Sequence, residues 1–147
     1  MRLSVKPAVL ATALKINGAT TAATLTNSST PPVYDAAGDS ESILVQGHKW
    51  ACYSIFVDAV GTANRLDVLV QEGPDGTNWA PLQTEAVSSG VATLSDYEQQ
   101  KALAAPGLLY TVHAPVRGGQ YQRLRLKVDA GTTTTVRVHY SLSGGPV

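Results

Sequence analysis

The sequence predicts an all-β protein: an antiparallel two-sheet sandwich of about eight strands, jelly-roll-like, preceded by an extended N-terminal arm. Three observations carry this. Apolar and polar residues alternate at period two through most of residues 42–147. The connections between these runs are rich in Gly, Pro, Asn and Asp, and too short for crossover helices, which demands antiparallel pairing. Residues 1–41 lack the alternation; Ala, Thr, Ser and Asn dominate them, with Pro31-Pro32 near their end and Tyr34 as their only aromatic residue. The expected division is therefore an arm over 1–41 and one β-sandwich domain over 42–147, long enough for a single core.

Within the arm, Val5–Leu14 has the spacing of two helical turns, with Val9, Leu10, Ala13 and Leu14 on one side, and Asn17-Gly18 ends it. Ala19–Thr30 carries too little apolar area to offset its ordering entropy, so by itself it is expected to be disordered and to order on a partner. Pro31-Pro32 adds a stiff polyproline-like step. Fully extended, such an arm reaches about 130 Å at roughly 3.3 Å per residue, enough to cross a neighbouring subunit. Its spaced aliphatic residues suit pockets or strand addition on that neighbour. Arg2, Lys6 and Lys15 are the candidate polar anchors, and Leu10, Leu14 and Ile16 the apolar ones.

The strands follow in order. Ser42–Gln46 and Trp50–Val60 are separated by Gly47-His48. Trp50–Val60 is apolar on both faces, Trp50 and Phe56 against Tyr53, Ile55 and Val57, as in a central strand or one whose outer face meets another subunit. Arg65–Glu72 alternates Leu66, Val68 and Val70 with Asp67, Leu69 and Gln71, and Glu72–Asn78 is a turn built from Gly, Pro and Asp. Trp79–Thr84 is a short strand that Pro81 pushes to an edge. Val91–Tyr97 is a weaker strand, Glu98–Ala104 reads as one helical turn, and Leu108–Ala114 resumes the sheet. Tyr121–Asp129 points Leu124, Leu126 and Val128 inward, with Arg123, Arg125 and Lys127 outward. Thr134–Leu142 closes the domain, Val136, Val138, Tyr140 and Leu142 facing in and Arg137 and His139 out.

Composition narrows the function. Lys+Arg and Asp+Glu are both 11, so the net charge is zero, and a nucleic-acid partner is not expected without the basic excess that phosphates require. Charged residues make up 15% of the chain, below the roughly 25% usual in soluble domains, which favours association over a lone monomer. No apolar stretch approaches the roughly 20 residues of a membrane span, and Pro7, Thr12 and Lys15 interrupt what would otherwise resemble a secretory signal. Cys52 is the single cysteine, which precludes an intramolecular disulfide, and its apolar neighbours predict a buried inert thiol.

Chemistry-bearing motifs are absent. His48, His113 and His139 stand on separate elements with no metal-ligand spacing, and Asp58, Asp67, Glu72 and Asp75 fall in a hairpin and its turns. Asp75 beside Gly76 is first a turn residue, because the repeated Asp/Asn spacing of a calcium loop is missing. No nucleophile elbow, P-loop or dinucleotide fingerprint occurs, so no enzyme activity, cofactor or metal is expected. Asn27-Ser28-Ser29 formally satisfies the N-glycosylation pattern. The row Arg123, Arg125, Lys127 could touch a phosphate or a carboxylate-rich partner, but it reads first as a solvated strand face that discourages edge aggregation and needs no partner. Trp79 and Tyr121 are candidate stacking platforms, which leaves a carbohydrate-binding module as a second reading.

Two stretches carry a resemblance. Leu66-Asp-Val-Leu-Val-Gln-Glu-Gly-Pro-Asp-Gly-Thr-Asn-Trp79 resembles the strand–turn–Trp segment of small β proteins of tailed-bacteriophage virions, and Pro115-Val-Arg-Gly-Gly-Gln-Tyr-Gln-Arg-Leu-Arg-Leu126 is similar to a later segment of the same proteins. With the arm, the whole looks most like capsid decoration, or cement, proteins. That resemblance implies a non-enzymatic β knob, commonly a trimer, on the outer capsid surface of a virion assembled in the host cytoplasm. It implies the major capsid protein and further copies of the chain as partners. Similar segments also occur in phage tail and neck proteins, so that location stands as an alternative.

Overall fold

A computed structural model describes residues 9–19, 22–27, 30–63, 65–103, 109–117, 119–129 and 131–144. Its strands are β1 (Val9–Leu14), β2 (Ala23–Asn27), β3 (Ile43–Leu44), β4 (His48–Ala59), β5 (Arg65–Gly73), β6 (Ala80–Pro81), β7 (Gln83–Ser88), β8 (Val91–Asp96), β9 (Glu98–Ala102), β10 (Leu109–Pro115), β11 (Tyr121–Val128) and β12 (Thr132–Gly144). One sheet runs β1-β12-β4-β10, with β2 continuing along the β1 edge of β12; the other runs β3-β11-β5-β6, with β9 on the β6 edge of β5. Every pairing within them is antiparallel. If β1 with β2 and β6 with β9 are each taken as one interrupted strand, the two sheets have chain order 1-8-3-6 and 2-7-4-5. That interleaving is a jelly roll, and the all-β sandwich expected from the sequence is what forms.

The alternation dictates the core. Leu66, Val68 and Val70 of β5 and Leu124, Leu126 and Val128 of β11 face Tyr53, Ile55 and Val57 of β4 and Val136, Val138 and Leu142 of β12, all buried. Each large aliphatic side chain removed from water in this way contributes about 1.5–3 kcal/mol. Tyr53 is the polar exception at the centre: its hydroxyl donates to Gln122 Oε1 at 2.9 Å, and Gln122 Nε2 donates to the Pro115 carbonyl at 2.9 Å. This satisfied relay joins the two sheets through the core. Burial pushes the Tyr53 phenol well above its ordinary pKa. At one flank of the sandwich, Tyr97 donates to the His113 carbonyl and Tyr110 to the Ala102 carbonyl, tying β10 to the β9 edge.

The opposite flank corrects the expected arm. Val9–Leu14 is a strand and not helix, paired with β12 at Leu14↔Val138, and Ala23–Asn27 pairs further along the same edge at Leu25↔Thr134. Leu14, Ile16 and Leu25 are 1–2% exposed, so they are members of the core and not anchors for a neighbour. The chain then crosses to the second sheet, where Ser40 N donates to the Leu124 carbonyl, Ser40 Oγ accepts from Leu124 N, and β3 pairs with Tyr121 and Gln122. At the crossing, a Cβ on Gly38 would sit 1.9 Å from the Leu126 carbonyl oxygen, so only glycine lets the backbones approach. No boundary therefore falls at residue 41: β1 and β2 form one outer edge of the first sheet, and β3 forms one outer edge of the second. The physical reason is that β12 and β11 would otherwise present unpaired edges, and pairing them supplies the hydrogen bonds that the Ala/Thr-rich segment cannot make by itself.

Other differences are local. Glu98–Ala102 is a strand and not a helical turn, because β5 offers it a ladder from Arg65 to Leu69. Trp79–Thr84 is not one strand: Ala80–Pro81 pairs with β5, and Gln83 onward belongs to a separate two-stranded sheet of β7 and β8. His48 is not in a turn but opens β4, and it is buried. Two outcomes test this architecture. A chain lacking residues 1–41 loses cooperative unfolding and its strand signal in far-ultraviolet circular dichroism, instead of leaving an intact sandwich. In the full chain, Ile16→Ala and Leu25→Ala each lower stability by about 2–5 kcal/mol in denaturant titration.

Candidate functional site

Three outward surfaces are available for contact, and each departs from the sequence expectation in its own way. The first is the outer face of the β3-β11-β5 sheet, with the basic row of β11. Arg125 Nε lies 2.6 Å from Asp39 Oδ1, Arg123 Nη1 lies 3.6 Å from Asp39 Oδ2, and Lys127 Nζ lies 3.7 Å from Asp67 Oδ2. Asp67 also pairs with Arg65 at 2.8 Å. Arg123 Nε donates to Gln71 Oε1 at 2.7 Å, and its guanidinium lies 4.8 Å from the Trp79 ring centroid. Tyr34, brought over this face by the crossing chain, covers Lys127 at 4.2 Å and Arg125 at 5.9 Å, and donates from its hydroxyl to Glu98 Oε2 at 2.7 Å.

The row is thus outward, as the alternation required, but its charges are engaged inside the molecule. Asp39 and Asp67 neutralise it, so Arg123, Arg125 and Lys127 do not form a free cationic surface. Burial lowers the Arg123 pKa, against the upward pull of Asp39. Burial, then the Glu98 hydrogen bond and charge, hold the Tyr34 phenol well above its ordinary pKa. Trp79 and Tyr121 are both half-buried, and Arg123 occupies one face of Trp79, which leaves that ring a poor sugar platform. Next to them, Asp75 orders the turn: its Oδ1 accepts from Thr77 N at 3.0 Å and Asn78 N at 2.8 Å, which holds its carboxyl far below the usual range. Of the arm's anchors, Arg2 and Lys6 lie outside the described residues, Leu10 is in β1, Leu14 and Ile16 are core, and Lys15 is exposed with its backbone paired to Glu41. Asn27 is likewise buried, with its side-chain amide on the Val33 carbonyl at 2.9 Å.

The second surface is the outer face of the β12-β4-β10 sheet. Trp50, Cys52, Ser54 and Phe56 project from β4 along its centre, opposite Pro115, His113, Thr111 and Leu109 of β10. Trp50 is 43% exposed. Phe56 stands edge-on to His139 at 5.5 Å and beneath Arg137 at 4.9 Å, and Arg137 pairs with Asp58 at 2.7 Å, which raises the Arg137 pKa. Cys52 is half-buried on this face and not in the core, with Sγ 3.9 Å from His113 Nε2. Because β4 is apolar on both faces, neighbouring residue types did not reveal which side faces inward. Lys49 and Arg117, both exposed, flank the Trp50 end, where Val116 N donates to the Lys49 carbonyl at 2.9 Å.

The third surface went unrecognised in the sequence. β7 and β8 form a hairpin with a Ser89-Gly90 tip in which both residues have positive φ, 52° and 75°. It leaves the second sheet at Leu82, whose N–H donates to the Val70 carbonyl and whose carbonyl accepts from Tyr97 N. Every residue from Glu85 to Asp96 is exposed, including Val87 at 68%, Val91 at 64% and Leu94 at 63%. Pairing places Glu85, Val87, Ala92, Leu94 and Asp96 on one face. The available signal was charge: between Arg65 and Lys101 there is no basic residue, whereas Asp67, Glu72, Asp75, Glu85, Asp96 and Glu98 fall there.

Neither a protein-family model nor a curated protein sequence matches this chain. Among solved structures, it is similar to the SPBc2 prophage-derived protein YomS, with 12% identity, 82% of this chain and 91% of that one covered, and a TM-score of 0.38. It is also similar to tripeptidyl peptidase 2 (TPP II), with 10% identity and a TM-score of 0.46 over 95% of this chain but 10% of that one. Overlaps this distant do not carry function.

Two outcomes test the first surface. Asp39→Asn leaves Arg125 and Arg123 without their carboxylate and lowers stability by about 1–3 kcal/mol in denaturant titration. The raised phenol pKa of Tyr34 sets a pH dependence: the native state keeps its proton while the unfolded chain loses it above about pH 10, so stability is full below that value and falls as pH rises through it. In thermal melts from pH 8 to 11, Tyr34→Phe has a shallower alkaline decline than the wild type.

Proposed function

We propose that the protein is a non-enzymatic structural protein of a tailed-phage virion, a capsid decoration protein that stabilises the head by self-association and by contact with the major capsid protein. The observation that carries this reading is the hairpin of β7 and β8. An isolated two-stranded ribbon is marginal in water, and one that holds Val87, Val91 and Leu94 more than 60% exposed has the character of an element that a partner covers. The half-exposed outer face of β4 supports the same reading, as do the zero net charge and the scarcity of charged residues. The sequences 66–79 and 115–126 resemble those of virion β proteins, and their strands β5 and β11 meet from Tyr121↔Gly73 onward.

In this reading the protein is a homotrimeric knob on the outer capsid surface, and it works by multivalency, each oligomer adding several modest contacts. The test is direct. Purified protein added to heads that lack it co-sediments at saturable, stoichiometric occupancy and raises the temperature at which the heads rupture. Absence of co-sedimentation, or a strictly monomeric mass at all concentrations, sinks the proposal.

A further inference from the structure

The hairpin and the β4 face are complementary to each other, and on one chain they are different patches. From this we infer that the β7-β8 hairpin of one copy seats on the Trp50–Phe56 stripe of a second copy, so that the self-association proposed above is head-to-tail. The inference rests on that reading and names the contact through which it acts.

Three properties match. The first is length: six-residue strands make the hairpin about 20 Å long at roughly 3.3 Å per residue, and Trp50 to Phe56 covers the same distance along β4. The second is polarity. The hairpin face of Val87, Ala92 and Leu94 is aliphatic, and the stripe offers Trp50 and Cys52, then Ser54 and the part of Phe56 that Arg137 leaves open, with Leu109 beside it, 52% exposed. The third is charge. Glu85 and Asp96 border the hairpin's apolar face, and Lys49 and Arg117 border the Trp50 end of the stripe. Acid meets base only when the hairpin lies on the other patch, since two hairpins facing each other would bring four carboxylates together. Among the described residues neither long edge of the hairpin is paired, so nothing within the chain competes for it.

A contact between two different patches is heterologous: each copy gives its hairpin to one neighbour and receives another on its stripe. This closes into a ring when the rotation permits, and it predicts a mixing behaviour that a symmetric contact does not show. Leu94→Asp disables the hairpin and leaves the stripe intact; Lys49→Glu with Arg117→Glu disables the stripe and leaves the hairpin. Sedimentation of the wild type at several concentrations gives an oligomer. Each variant, with circular dichroism and melting like the wild type, weakens association at least tenfold. Mixed, the two variants form a one-to-one complex that grows no further. If the wild type assembles and either variant alone assembles like it, or the mixture gives no pair, the head-to-tail contact is wrong while self-association stands. If Leu94→Asp melts early, Glu85→Lys is read in its place, with the same outcomes. A wild type that stays monomeric overturns both readings.

Discussion

The whole architecture depends on closing the free edges of β12 and β11. Both are long interior strands, of 13 and 8 residues, and each has a natural partner on one side, β4 and β5. On the other side, unsatisfied backbone donors and acceptors would face water or a foreign strand. β1 and β2 resolve this along β12, and β3, reached past the close approach at Gly38, resolves it along β11. The requirement explains why a segment with so few large apolar residues is ordered: its backbone is used more than its side chains. It also explains why Leu14, Ile16 and Leu25 are so completely buried, because these are its few hydrophobic points of attachment.

The approach to β3 decides the chemistry of one surface. By carrying Tyr34 and Asp39 across β11, it converts an exposed cationic row into a shielded network in which each cation has an anionic or aromatic neighbour. What remains open lies elsewhere: a partly apolar sheet face, whose Arg137 is paired with Asp58, on one side and a projecting acidic hairpin on the other. The molecule has zero net charge, yet the hairpin segment bears acid alone while exposed Lys49 and Arg117 sit at the Trp50 corner. Such a dipolar arrangement suits repeated contact between identical copies better than recognition of a polyanion.

Legibility in the sequence followed the strength of local pattern. β5, β11 and β12 were readable because large apolar residues recur at every second position, separated mostly by polar ones such as Asp67, Gln71, Arg125, Lys127, Arg137 and His139. β1 and β2 were not, because Ala and Thr are permissive at either face and the deciding partner lies far off: Thr24 and Thr135, whose hydroxyls meet at 3.2 Å, are 111 residues apart. Glu98–Ala102 was misread because Glu, Gln and Lys favour helix in isolation, whereas pairing to β5 prevails in the fold. For the candidate site, the outward direction of Arg123, Arg125 and Lys127 was legible and their neutralisation was not, since Asp39 and Tyr34 come from the other end of the chain. The hairpin was half legible: Val91–Tyr97 read as weak strand, but its separation from the body depends on Leu82 holding the root between Val70 and Tyr97.

The pairing of β1 and β2 to β12 also orders events during synthesis. β1 and β2 are made before Thr132–Gly144 and have no ladder to join until it follows, so they wait for more than 100 residues of synthesis as unpaired, weakly apolar chain. Closing a loop of that size is slow, and strands left open meanwhile invite pairing with other chains. A segment rich in Ala, Thr and Ser, with only isolated Leu, Ile and Val, is suited to that wait: too polar to aggregate early, yet apolar enough to dock once β12 arrives.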